Sequence, residues 1–140
     1  MYLIDTVALS ELRKPVPNHN VAGWFVSVAL QDIYISVLTV FEIEFGIEQK
    51  RRTDPVYADA LTGWLNTTLT SYSDRVLPFT ATAARRWGRL SAQIGYKGLD
   101  LAIAAIALEN GLTVVTRNIS HFVPTGVATV DPFQPVPSRP

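Results

Sequence analysis

Three carboxylic acids stand in parts of the sequence whose apolar composition indicates burial. Asp5 follows a short apolar run, Glu42 interrupts an apolar stretch, and Asp100 is the single charge in an otherwise apolar segment. An isolated buried charge costs several kcal/mol even after the protein has relaxed around it. Acids in such surroundings therefore indicate a compensating positive partner.

The composition of the chain narrows the choice of that partner. The sequence contains no cysteine and only two histidines, so a site for a soft metal ion is a poor candidate. Carboxylate oxygens are the ligands that hard divalent cations prefer. We therefore predict Mg²⁺ or Mn²⁺ as the partner of the three acids.

Each acid also has a simpler interpretation. Asp5 precedes Thr6 and is a good N-cap for a helix, and Asp100 can cap a helix or lie in its first turn. Glu42 can lie at a helix edge with its carboxylate in water. Taken singly, no acid decides between these interpretations. Three acids on three separate buried elements nevertheless form a set that capping alone does not require.

Strands alternate with helices along the chain. Short apolar runs bounded by turn residues predict strands over residues 2–4, 33–37, 75–77, 112–115 and 127–130. Helices are predicted before Pro15 and over residues 21–30, 39–51, 54–72, 80–94 and 99–110, with a short turn or helix over 118–122. This order predicts a parallel α/β sheet covered on both faces, which binds ligands beyond the carboxyl ends of its strands.

Length and charge exclude several classes of protein. The 140 residues suit one domain, predicted over residues 1–131, with a proline-rich tail over 132–140. Twelve basic residues balance twelve acidic ones, so no global field attracts nucleic acid. No apolar run reaches the roughly 20 residues of a membrane span, and the N-terminus does not resemble a signal peptide. The absence of cysteine is consistent with a cytoplasmic protein.

Four ordered stretches of the sequence resemble one known family. They cover the opening residues 1–15, then residues 35–42, 100–107 and 115–122. The set is similar to PIN-domain ribonucleases, and most of all to the VapC/FitB-type toxins of type II toxin–antitoxin systems. The resemblance implies a three-layer α/β/α sandwich with a parallel sheet of about five strands. It also implies that Asp5, Glu42 and Asp100 are catalytic acids that hold Mg²⁺ or Mn²⁺.

The resemblance further implies a toxin that hydrolyses the phosphodiester bonds of single-stranded RNA. Its expected partners are a cognate antitoxin, the RNA substrate and a second copy of the chain in a homodimer, with no membrane. Around the acids we expect supporting roles for Thr6, Thr116 and Asn118. The expected RNA-binding residues are Arg85, Arg89, Lys97 and Arg117. We expect the groove for the antitoxin between the helices over residues 21–30 and 54–72.

Two departures from the family pattern keep an alternative open. Asn118 and His121 stand where many relatives have an acid, and Val7 stands where the family often has asparagine. The alternative is therefore a catalytically weak PIN-like module that binds RNA or protein. A different Mg²⁺ phosphohydrolase is a third interpretation, but the chain has neither an Asp-x-Asp pair nor a P-loop. Neither histidine is assigned a catalytic role.

Overall fold

The computed structural model describes residues 1–135, which fold into five short strands and seven helices. The strands are β1 (Tyr2–Ile4), β2 (Ile33–Ser36), β3 (Val76–Leu77), β4 (Thr113–Val115) and β5 (Thr129–Val130). The helices are α1 (Thr6–Glu11), α2 (His19–Ser27), α3 (Val37–Arg51), α4 (Pro55–Ser71), α5 (Ala81–Ile94), α6 (Leu99–Asn110) and α7 (Ile119–Phe122). The predicted elements are all present, with bounds that differ by a few residues.

The five strands form one sheet in the order β3-β2-β1-β4-β5, and every neighbouring pair is parallel. β1 lies at the centre, where Leu3 pairs with Tyr34 on one side and with Val114 on the other. Since the strands are parallel, their carboxyl ends meet at one edge of the sheet. The first strand therefore delivers Asp5 to the middle of that edge.

Two hydrophobic cores cover the two faces of the sheet. Ile4 and Val115 belong to the core under α1 to α4, whereas Leu3 and Val114 belong to the core under α5 to α7. Successive residues of a strand point to opposite faces, so each strand supplies both cores. The predicted three-layer α/β/α sandwich is confirmed.

Polar side chains set the helix starts, and two of them differ from the predictions. Ser36 caps α3 through the N–H of Thr39, so α3 begins at Val37 rather than at Thr39. The side chain of Asn18 caps α2 in the same way, so α2 begins before Val21. It also ends earlier than predicted, at Ser27.

Arg75 lies just before β3 and is buried, which the sequence analysis did not predict. Its Nη1 donates to the carbonyl oxygens of Leu30 and Ile33, at 2.6 and 2.7 Å. Its Nη2 donates to the carbonyl oxygen of Ser71 at 2.9 Å, and the guanidinium lies over the ring of Tyr72. The guanidinium thus joins the end of α4 to the turn that precedes β2.

The start of the predicted tail packs against the fold. Pro132 is buried, and the carbonyl oxygen of Phe133 accepts a hydrogen bond from Asn20 Nδ2 at 2.8 Å. Residues 136–140 of the predicted tail lie outside the described residues, and the domain boundary at residue 131 stays a prediction. No helix within residues 1–135 is long and apolar enough to cross a membrane.

Candidate metal centre

The three predicted acids come from three elements that meet at the carboxyl edge of the sheet. Asp5 directly follows β1, and Glu42 lies in the second turn of α3, which directly follows β2. Asp100 lies in the first turn of α6. Because α6 descends to the start of β4, its first turn lies at the end of the molecule where the strands finish. The charges of Asp100 and Glu42 both raise the pKa of Asp5, so the three acids interact.

Asp5 is both a helix cap and a member of this acidic cluster, which we define as Asp5, Glu42 and Asp100. Its Oδ1 accepts a hydrogen bond from the N–H of Ala8 at 2.9 Å, and only 4% of the residue is exposed. Burial raises its pKa most strongly. Hydrogen bonds from Thr116 and Ala8 lower the pKa but do not cancel the effect. The two interpretations of Asp5 are therefore compatible.

Thr6 fixes the carboxylate of Glu42. Its hydroxyl Oγ1 donates to Glu42 Oε1 at 2.7 Å, although the two residues are 36 positions apart in the chain. Thr39 lies beside this pair, with its hydroxyl oxygen 3.4 Å from that of Thr6. The prediction that Thr6 supports the acids is consistent with this contact.

His121 pairs with Asp100, which the sequence analysis missed. The Nδ1 of His121 lies 2.6 Å from Asp100 Oδ2. In the sequence the histidine has no carboxylate neighbour, because α6 and α7 are brought together only by the fold. The one signal available was its position shortly after Asn118, in the last of the four stretches that resemble the family.

Thr116 and Asn118 form a short turn behind Asp5. Thr116 is fully buried, and its hydroxyl accepts a hydrogen bond from the N–H of Asn118 at 2.9 Å. The same hydroxyl bonds the carboxylate of Asp5 and lowers its pKa. Thr116 thus contacts Asp5, and Asn118 contributes its backbone N–H to the turn; their supporting roles stay predictions.

The four predicted RNA-binding cations are divided between two places. Arg117 follows β4 and lies close to the acidic cluster, and exposed Lys97 lies in the loop before α6. Arg85 and Arg89 are exposed along α5. Thr80, which caps α5, bonds Glu109 at the far end of α6, so α5 starts at the end opposite Asp100. Arg85 therefore lies roughly 14 Å along the helix from the end of α5 that is nearer the acids.

A groove between α1, α3 and α4 opens beside the acidic cluster. Its volume is about 460 Å³, and Thr6 and Glu42 lie at one end. The other lining residues are Ser10, Arg13, Ile43, Gly46, Ile47, Lys50, Tyr57, Leu61 and Trp64. α4 forms one wall of this groove, and α1 and α3 form the others. α2 does not line it, and Trp24 of α2 is buried in the first core. Where an antitoxin binds stays a prediction.

Residues 2–122 match the family model described as "PIN domain". The chain belongs to the PIN domain family. This PIN domain is 34% identical to "VapC ribonuclease Y4jK" of Sinorhizobium fredii, over 96% of the chain and 99% of that protein. It is 31% identical to "Toxin FitB" of Neisseria gonorrhoeae, over 95% of the chain and 99% of that protein.

The PIN domain is also similar to solved structures over its full length. The structure of "FitAB bound to IR36 DNA fragment" has a TM-score of 0.85 and 28% identity, and covers 99% of this chain and 100% of that chain. "FitAcB from Neisseria gonorrhoeae" has a TM-score of 0.84 and 31% identity, and covers 95% and 99% respectively. The predicted VapC/FitB-type resemblance is confirmed, and the family supports a nuclease.

The carboxylate oxygens of the acidic cluster are ligands of the kind that hard divalent cations prefer. Within residues 1–135, no three histidine, cysteine or acidic side chains are arranged to hold a metal ion as they stand. Asp100 instead faces His121, and Glu42 faces Thr6. Burial is the main cause of the raised pKa of Asp5, and the negative charges of Asp100 and Glu42 raise this pKa further. A cation would relieve that repulsion once the carboxylates turn towards it.

Proposed function

We propose that this PIN domain is the toxin component of a type II toxin–antitoxin system. In this proposal it is an Mg²⁺- or Mn²⁺-dependent endoribonuclease that hydrolyses single-stranded RNA. The observation that carries the proposal is the placement of Asp5, Glu42 and Asp100, from three different elements, at one edge of the sheet. Relatives named as a VapC ribonuclease and as a FitB toxin support it.

Asp5, Glu42 and Asp100 are the residues that would hold the cation. A cation held there would lower the pKa of a water molecule and would offset negative charge on the reacting phosphate. Thr6 orients Glu42 through its hydroxyl, and the hydroxyl of Thr116 orients Asp5. Such groups keep metal ligands in place, and their loss costs about 10- to 100-fold in metal affinity or activity in other sites.

His121 has a distinct part in this arrangement. The contact between its Nδ1 and Asp100 Oδ2, at 2.6 Å, holds the carboxylate in one orientation. The imidazole occupies the neighbourhood in which many relatives have a further acid, and it brings no negative charge. The proposal therefore includes one metal position and no second one.

Cleavage of a mixed single-stranded RNA pool by the purified protein tests the proposed activity. We expect cuts with Mg²⁺ or Mn²⁺, none with EDTA, and a loss on the order of 10²-fold in the Asp100→Asn variant. Glu44→Gln is the matched control, because Glu44 is an exposed acid two residues from Glu42. That control should cleave like the parent protein.

The opposite outcome would favour the alternative function. A folded protein that binds RNA but makes no metal-dependent cuts would contradict the ribonuclease proposal. Such a protein would instead be the PIN-like RNA- or protein-binding module that Val7 and Asn118 suggest. Cuts that persist equally in Asp100→Asn would point to a contaminating nuclease.

We further propose that the groove between α1, α3 and α4 receives the antitoxin. Solved relatives are described as a "Toxin-antitoxin complex from Klebsiella pneumoniae" and as VapBC and FitAB assemblies. The groove is lined by apolar side chains such as Ile43 and Trp64, and it continues to Glu42. An antitoxin segment with an apolar anchor and a basic side chain would fill the groove and reach the acids.

Filling the groove should separate antitoxin binding from catalysis. Gly46 lines the groove, and a side chain added there meets no atom within 4 Å. We expect Gly46→Phe to cleave RNA but to retain the co-expressed antitoxin at least about tenfold less well, because the ring occupies the anchor's place. Retained antitoxin is measured by co-purification.

Gly63→Phe is the control for this experiment. Gly63 lies on α4, is exposed, has equal space around it and does not line the groove. Equal retention of the antitoxin by both variants would show that the partner binds elsewhere. A homodimer and a cytoplasmic location stay predictions.

A further inference from the structure

Arg117 and Phe133 form a stacked pair next to the acidic cluster. The guanidinium carbon of Arg117 lies 4.4 Å from the centre of the Phe133 ring. Arginine side chains stack on aromatic faces through their planar, delocalised charge. The stacking restricts the long side chain of Arg117, which is exposed and would otherwise sample many conformations.

The ring of Phe133 is itself held in place. The N–H of Phe133 donates to Asp131 Oδ1 at 2.9 Å, and its carbonyl oxygen accepts from Asn20 Nδ2 at 2.8 Å. Pro132, between them, is buried. The segment after β5 is thus attached to α2, and it presents a fixed aromatic surface to Arg117.

The strand order places this pair at the edge of the sheet that carries the acids. Arg117 comes two residues after the end of β4. β4 lies between β1 and β5 in the sheet. Asp5 directly follows β1, and Phe133 comes three residues after the end of β5. The N–H of Asp5 donates to the carbonyl oxygen of Val115, the last residue of β4. Neighbouring strands are about 4.8 Å apart, so the pair flanks the acidic cluster on the side away from Glu42.

The charge of Arg117 is available to a ligand. Among the ion pairs of residues 1–135, Lys14, Arg51 and Arg75 each contact a carboxylate, whereas Arg117 is in none of these pairs. Asp131, which directly follows β5, already accepts a hydrogen bond from the backbone N–H of Phe133. A guanidinium presents several N–H groups in a fixed fork that matches the oxygens of a phosphate.

We infer that Phe133 holds Arg117 to bind a backbone phosphate of single-stranded RNA beside the acidic cluster. This inference rests on the proposed function, since it assigns the phosphate site of the same substrate. RNA is a polyanion, and the cluster alone repels it. A cation fixed one strand away offsets that repulsion and sets which phosphate enters the acidic site. Arg117 is the binding residue in this inference, and Phe133 is its positioning residue.

The salt dependence of RNA binding tests this inference apart from catalysis. The measurement is the fluorescence anisotropy of a labelled single-stranded RNA oligonucleotide with full-length protein in EDTA, at several salt concentrations. Each phosphate contact contributes about 0.7 to the slope of log affinity against log salt for single strands. We expect Arg117→Gln to weaken binding on the order of tenfold and to reduce the slope by about 0.7.

Variants of Phe133 test whether its ring positions Arg117 or only anchors the segment after β5 to α2. Phe133→Leu keeps the charge of Arg117 but removes the ring, so binding should weaken while part of the slope remains. The double variant should bind no more weakly than Arg117→Gln, because the ring acts only through the arginine. Arg117→Lys should show the salt slope of the parent protein but only part of its affinity for RNA. Its ammonium keeps the charge but lacks the planar fork of N–H groups that matches a phosphate. Arg52→Gln, at the far end of α3, should bind like the parent protein.

Two results would overturn the inference. An unchanged slope in Arg117→Gln would show that no phosphate binds there. If the losses of RNA affinity add up in the double variant, Phe133 only anchors the segment after β5 to α2. Neither result depends on hydrolysis, so they differ from failure of the proposed function, which is an absence of metal-dependent cuts by the parent protein.

Discussion

The Asp5→Asn variant is expected to lose RNA cleavage and to gain stability when no metal is present. Asparagine caps α1 about as well as aspartate, so the bond to the N–H of Ala8 is kept. The change removes a buried charge whose pKa is raised by burial and by two neighbouring acids. We expect a cleavage rate at least about 100-fold lower, measured on RNA, and a higher Tm in EDTA, measured by circular dichroism.

The gain in stability should depend on pH in a definite direction. The folded-state pKa of Asp5 is above the unfolded-state pKa, so the folded protein holds its proton more tightly. Below about pH 4 the carboxyl group is protonated in both states, and its ionisation does not affect stability. As the pH rises towards neutrality, the parent protein loses stability that the variant keeps. The difference in Tm between them should therefore widen.

With divalent cations, the parent protein should become more stable than the Asp5→Asn variant. Excess Mg²⁺ or Mn²⁺ stabilises a protein that binds it only when folded, by about 2.7 kcal/mol at 100 times the dissociation constant. The parent protein should gain Tm and Asp5→Asn should gain little. Glu44→Gln is again the control, with Tm and cleavage unchanged. A variant that is less stable than the parent in EDTA would contradict the buried, uncompensated charge at Asp5.

The Arg75→Met variant is expected to have a free energy of unfolding about 3 kcal/mol lower than that of the parent protein. Methionine fills much of the space but leaves the carbonyl oxygens of Leu30, Ile33 and Ser71 without their donor. The bond to Ile33 is buried and the bonds to Leu30 and Ser71 are partly buried, and a buried polar group left unpaired costs roughly 1–3 kcal/mol. The midpoint of urea denaturation measures the loss, and Tm should fall by about 10 °C.

A matched pair of variants controls for the loss of an arginine itself. Arg52→Met removes an exposed arginine at the end of α3 and should change stability by less than about 0.5 kcal/mol. The stability of Arg75→Lys should lie between those of the parent protein and Arg75→Met, because lysine keeps a charged donor but lacks the second nitrogen atom with which Arg75 reaches Ser71. Equal stability of Arg75→Met and Arg52→Met would show that the carbonyl groups find other donors.

Local sequence signals were enough to locate most secondary structure. Asp54 and Pro55 start α4 as predicted, and Gly111 ends α6 in the left-handed conformation at φ 66°. These signals act within one turn of a helix, so neighbouring residues contain them. The start of α3 was misplaced by two residues because Ser36, inside a predicted strand, serves as the cap.

By itself the sequence also predicted the chemical character of the candidate site. Asp5 and Asp100 stand in apolar runs, and the cost of burying an uncompensated charge makes a cation the expected partner. The alternation of strands and helices determined the parallel sheet and the edge at which the site lies. Both conclusions follow from composition and periodicity, which need no knowledge of distant contacts.

Only the tertiary structure decided how each acid is held and what surrounds the cluster. The bond from Thr6 to Glu42 and the pair of His121 with Asp100 join residues 36 and 21 positions apart. The stacking of Arg117 on Phe133 depends equally on packing between elements. Such contacts depend on how helices and strands pack in three dimensions, and residue type and local spacing do not encode that packing in a readable form.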